Sequence, residues 1–191
     1  LYINYIIYLY NKEIKMAAHF IWYESNGAGE TMTSGVSNVN WKNIDDTTTA
    51  YTASPVTAGN NSFDKWQFGR FQGPYNQLLN GKFAHTAGTL GTGLTLKGQP
   101  SMTVDADRLA YATPSTTTNA SLSVDMTSAI SIGSGSVVFF GATGASNSGK
   151  AASTTSNPAF TNYLTTQMQT TGSALPGDTA TVTLTLQYDE N

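Results

Sequence analysis

Residues Thr179 to Tyr188 read TATVTLTLQY. In an extended chain Ala180, Val182, Leu184, Leu186 and Tyr188 point one way, and Thr179, Thr181, Thr183, Thr185 and Gln187 point the other. Strict alternation with a period of two is the pattern of a strand with one buried and one solvated face. Thr suits the outer face, because its β-branched carbon fits a pleated surface while its hydroxyl meets water.

Shorter runs of the same kind lie at Phe20 to Tyr23, Asp64 to Phe71, Gly93 to Leu96 and Ser121 to Met126. Val137 to Phe140 is apolar on both sides and reads as a central strand. Turn signals separate these runs: Gly27 to Gly29, Ala58 to Asn61, Gly73-Pro74, Asn80-Gly81, Gly88 to Gly93, Gly133 to Gly135, Gly141 to Gly149 and Pro176-Gly177. Residues Pro158 to Thr171 fit a helix through Phe160, Tyr163, Leu164, Gln167 and Met168, and a strand through Phe160, Leu164 and Met168. Five Thr residues favour the strand, which is expected to pair with Thr179 to Tyr188 across Leu175-Pro176-Gly177-Asp178. The expected fold is all-β, an antiparallel β-sandwich of jelly-roll or immunoglobulin-like type.

The 191 residues fit one domain. Charged residues make up 11% of the chain, under half the usual quarter, while 29 Thr and 18 Ser make the surface one of hydroxyls and amides. Net charge is -3 and the nine Lys and Arg are scattered, so there is no basic stripe to neutralise phosphates. Nucleic acid and membrane are therefore not expected partners. The absence of Cys excludes disulfides, thiol nucleophiles and thiolate-bound zinc.

Composition breaks near the start. Leu1 to Tyr10 (LYINYIIYLY) contains no Thr and is too short to span a bilayer. Lys12-Glu13 back-translates to AAGGAG, six nucleotides before the codon of Met16, the spacing of a bacterial ribosome-binding site. Residues 1–15 are thus expected to be an untranslated leader, or else an N-terminal arm that adds a strand to a neighbour, and residues 16–191 a single β-sandwich domain.

Chemical motifs are few. Gly144 to Lys150 (GASNSGK) has the spacing of a phosphate-binding loop, but Ala151 stands where Ser or Thr would hold magnesium, and a helix-poor stretch follows. His19 and His85 have no carboxylate cluster beside them in sequence and read as surface or packing residues. Asp45-Asp46 and Asp105-x-Asp107 each give two carboxylates, where calcium needs six to eight oxygens, and read as solvated turns. No G-x-S-x-G elbow occurs. These residues point to no enzyme, cofactor or metal. Trp66 alternates with Phe68, and Trp22 with Phe20, as core positions. Trp41, within NVNWKNIDD, is the candidate surface-binding residue, a ring on which a sugar would stack.

The segments NVNWKNIDD, TAGNNSFDKWQFGRF, TGLTLK, NYLTTQMQTT and LTLQYDEN, across residues 39–191, resemble small β-sandwich virion proteins of tailed bacteriophages, either capsid decoration or tail-associated. The resemblance implies a non-enzymatic capsid decoration (cement) protein that binds the assembled shell, ahead of a tail or baseplate role. Its partners would be the major capsid protein or other virion proteins and further copies of itself. It would be made in the bacterial cytoplasm and located in the virion. The alternative is a carbohydrate-binding or adhesin module on a phage fibre or cell surface.

Overall fold

In the computed structural model, the residues described are 19–72, 78–99, 111–130, 137, 139–140, 158–175 and 181–190. The leader or arm at 1–15, the loop at 144–150, Asp105, Asp107 and the turns at 73–74, 133–135, 141–149 and 176–177 lie outside them.

Ten strands follow one another: β1 (His19–Asn26), β2 (Thr31–Ser34), β3 (Lys65–Gln72), β4 (Leu78–Gly88), β5 (Leu94–Gln99), β6 (Val124–Asp125), β7 (Phe139–Phe140), β8 (Ala159–Thr161), β9 (Leu164–Thr170) and β10 (Val182–Glu190). The described residues contain no α-helix, only a short 3-10 turn at Tyr51–Ala53. Every pairing is antiparallel. The larger sheet runs β2-β1-β3-β9-β5-β6, with β8 also on β3 and β7 on β8; β10 and β4 form a separate two-stranded sheet. The fold is the antiparallel, sandwich-like all-β arrangement that the alternating runs predict.

Pairing places β3 in the centre, with β1 on one side and β8 and β9 on the other. Facing residues of an antiparallel pair share a face, so the register sorts the side chains. Phe20 faces Phe71, Trp22 faces Gly69 and Glu24 faces Gln67 on one side; Tyr23 faces Phe68 and Ser25 faces Trp66 on the other. The β4-β10 ribbon lies over the first face. Tyr188 meets Phe71 edge-on at 4.8 Å between ring centroids, and Trp22 meets Phe83 at 6.3 Å. Leu78, Leu96, Phe139, Leu164 and Met168 complete this main core. The second face carries its own aromatic cluster, in which Tyr163 stands edge-on to both Trp66 and Phe68. Trp22 and Trp66 are thus both packing residues, as their alternation predicts, but of opposite faces.

Two expectations about connectivity fail. The strand at Leu164–Thr170 does not pair with β10; it sits between β3 and β5, and β10 pairs with β4. A two-residue turn makes a hairpin only if no other edge offers a better apolar match, and Leu164 and Met168 find theirs in the central sheet. Asn80-Gly81 is not a turn between strands but part of β4. Asn80 takes a left-handed φ of 52°, and the β4-β10 register shifts between Gln187 and Asp189 opposite it. The tolerance of Asn for that conformation makes a β-bulge here, and Asn80 Nδ2 donates to Asp189 Oδ2 at 2.6 Å across it. Phe139–Phe140, read as central, pairs only with β8 among the described residues, although Phe139 is buried as its apolar setting predicts.

Candidate functional site

β3 reads Lys65-Trp66-Gln67-Phe68, so Lys65 and Gln67 alternate with the aromatic pair. In a sheet covered on one face these two side chains would reach water. Here both faces of β3 are covered, and Lys65 is 1% exposed. Its ammonium nitrogen donates to Glu24 Oε1 at 3.1 Å and to the Asp46 carbonyl at 3.3 Å. Glu24, 2% exposed, also accepts from Asn26 Nδ2 at 3.1 Å and from Gln67 Nε2 at 3.3 Å. A buried carboxylate costs several kcal/mol unless cations and donors surround it, and Glu24 has both.

The segment from Trp41 to Thr49 closes over this group. Lys42 is wholly buried, and its Nζ donates to Asp46 Oδ1 at 2.6 Å and to the Thr49 carbonyl. Asp46 also accepts from the Thr48 and Thr49 amides and the Thr49 hydroxyl. Burial alone would raise the Asp46 carboxyl, but the hydrogen bonds from Lys42 and Thr49 outweigh it and hold the group well below its ordinary value of 3.8. Asp45, next in the chain, turns to the β1-β2 turn instead, accepting from Asn26 Nδ2 and the Gly27 amide at 2.6 Å each. The two adjacent carboxylates, read from sequence as solvated turn groups, are two separate internal anchors. No group of three or more His, Asp or Glu suited to a metal ion occurs among the described residues.

Trp41, the residue singled out for surface binding, is half-buried against the main core, and its indole N–H donates to Thr166 Oγ1 at 3.1 Å. A small cleft nearby is lined by Asn38, Asn40, Thr47 and the buried Glu24, Lys42 and Lys65, and Trp41 is not part of its lining. His85 is buried in β4, with Nδ1 at 2.8 Å from the Met126 carbonyl and Nε2 at 2.8 Å from the Ala87 carbonyl. It has the packing role expected of it, and no carboxylate contacts it among the hydrogen bonds described. His19 is exposed at the start of β1.

A second polar assembly binds residues 111–119 to the opposite face. Asp64 accepts from the Ser115 amide at 2.6 Å, from Asn119 Nδ2 and from the Trp66 indole. The fully buried Gln167 donates to the carbonyls of Ser62, Ser115 and Thr117. Tyr111 donates its hydroxyl to the Gly27 carbonyl at 2.6 Å, and burial, with Asp45, Glu30 and Asp64 nearby, pushes its phenol well above the ordinary 10.0. Sequence reading missed Glu24, Asn26, Lys42, Lys65 and Gln67; the one available signal was the charged residue alternating with aromatics at Lys65 and Trp66.

No helix among the described residues is long and apolar enough to cross a membrane. The chain matches no protein-family model, no curated protein and no solved structure.

Proposed function

We propose that the chain is a non-enzymatic structural protein of a tailed-phage particle, a capsid decoration protein that binds the assembled shell and neighbouring copies of itself. The observation that carries this reading is where the charge lies. Charged residues are scarce, and Glu24, Lys42, Asp64 and Lys65 are buried in contacts that hold loops to the sheet. Hydroxyls and amides make up much of the outer face of β10, with Thr183 and Gln187 exposed and Thr185 half-buried. Exposed apolar groups such as Met32, Ile130 and Leu175 add contact area without charge. Neutral polar contacts of this kind are little affected by ionic strength, which suits a protein that must stay on a shell in any medium. Co-sedimentation tests the reading: the protein should pellet with tailed-phage capsids and self-associate on them. A chain that stays monomeric and in the supernatant would refute it.

The half-exposed Trp41 ring supports a second reading, a carbohydrate-binding or adhesin module. A glycan array with Trp41→Ala as control separates the two, since specific, Trp41-dependent sugar binding belongs only to the second.

A further inference from the structure

Among the buried polar groups, one set brings together an amine, a primary amide and a carboxylate. Lys65 Nζ and Asn26 Nδ2 both donate to the same oxygen, Glu24 Oε1, at 3.1 Å each. All three side chains are at least nine-tenths buried. The β1-β3 ladder ends with Ser25 opposite Trp66; Asn26 and Lys65 are the next residues on the two strands, and alternation puts them on the same face as Glu24. Facing Cβ atoms in such a ladder lie about 5 Å apart, a gap that a Lys stem and an Asn side chain bridge without strand movement.

We propose that Lys65 and Asn26 form an intramolecular isopeptide bond, with Glu24 carrying the proton between them. Glu24 takes a proton from the Lys65 ammonium, and the freed Nζ lone pair attacks Asn26 Cγ. Glu24 then protonates Nδ2, the C–N bond to Nδ2 breaks, and ammonia leaves. Of the two protons still on Nζ, one leaves with ammonia as ammonium and the other stays as the amide N–H, so one ammonium ion is released for each Lys–Asn amide formed, and nothing is oxidised or reduced. Placement supports each step. Lys65 donates to Glu24, which is thereby placed to take its proton, and to the Asp46 carbonyl, which holds the nitrogen in position. The departing Nδ2 is held by two carboxylates, Glu24 and Asp45. Groups held in near-attack geometry reach effective concentrations of about 10⁵ M or more, and the shared Glu24 oxygen confines the amine and the amide to one site.

The same residue offers a competing route. Asn26 precedes Gly27, and attack by the Gly27 amide on Asn26 Cγ would also expel ammonia, giving a succinimide. That amide is held by Asp45 Oδ2 at 2.6 Å, which opposes its turn toward Asn26. Lys42 and Asp46 are also in contact, but Asp46 is held ionised there, and a carboxylate is a poor acyl donor.

Mass spectrometry of the folded, purified chain after denaturation tests the proposal. The expected mass is one ammonia below that of the sequence. Trypsin should fail to cut after Lys65 and should release a branched peptide joining Lys65 to Asn26. Glu24→Gln should restore the full mass while the far-UV circular dichroism of the fold is kept. The wild-type protein alone decides the matter if that variant does not fold. An unaltered wild-type mass overturns the proposal, as does ammonia loss confined to a linear Asn26-Gly27 peptide, or loss of water joining a lysine to a carboxylate.

Discussion

Replacing Lys42 with Met keeps most of a buried stem and removes only the ammonium group. In the folded protein that group donates to Asp46 Oδ1 at 2.6 Å and to the Thr49 carbonyl. A hydrogen bond to a charged group contributes about 1.5–3 kcal/mol, and a buried carbonyl left without a donor costs about 1–3 kcal/mol. Asp46 keeps three other donors and its side chain is 31% exposed, so water recovers part of the loss. Lys42→Met should therefore destabilise the fold by about 2–4 kcal/mol at neutral pH. Urea unfolding followed by tryptophan fluorescence measures this, since Trp41 is the neighbouring residue. Acid adds a second arm. The Asp46 carboxyl is lowered in the folded state, so its stabilising contribution is present above 3.8 and is lost as pH falls below that value. Without Lys42 the carboxyl is lowered less and there is less to lose, so the gap between the two proteins should narrow toward about pH 3. A gap below about 0.5 kcal/mol, the range of ordinary surface changes, or one unchanged on acidification would refute the reasoning.

Three further outcomes follow from particular contacts. A Cβ on Gly69 would lie 2.5 Å from Phe20 Cε2 and 3.3 Å from Thr161 Cγ2, so Gly69→Ala should cost about 1–3 kcal/mol by displacing a ring packed on Trp22 and Phe71, read as a lower urea midpoint. His85→Leu removes the imidazole donor from whichever of the Met126 and Ala87 carbonyls the tautomer serves and should cost about 1–3 kcal/mol, with faster amide exchange where β4 meets residues 126–130. Tyr111 stays protonated beyond the ordinary 10.0, so its contribution is complete below that pH and lost as pH rises above it; Tyr111→Phe should flatten the alkaline arm of a stability profile.

Strands were legible where apolar and polar residues alternate strictly, but β4, broken by the Asn80 bulge, was not read as one. β10 shows this best: Thr183 and Gln187 are exposed, while Leu184, Leu186 and Tyr188 pack on the core. Partner choice was not legible, because alternation states which side is apolar and not which strand lies beside it. Leu164 and Met168 would fit either β10 or the central sheet, and the rest of the core decides. The charged cluster was hidden for a related reason. Lys65 and Gln67 alternate with Trp66 and Phe68, and a lone strand with that pattern reads as polar-outward. Only the Trp41–Thr49 segment, distant in sequence and folded over that face, turns the polar side into an interior. The adjacent Asp45 and Asp46 look like one acidic pair, yet they anchor different turns.

The central claim is that the buried charges hold the fold together and that neutral polar and apolar surface groups make the assembly contacts. Binding of the protein to tailed-phage shells, measured by sedimentation over a series of salt concentrations, tests it most directly. The fraction bound should stay level from low to high ionic strength, since neutral contacts are not screened. Release as salt rises would place the contacts on charged groups and contradict the claim, and failure to bind at any salt would remove the proposed role with it.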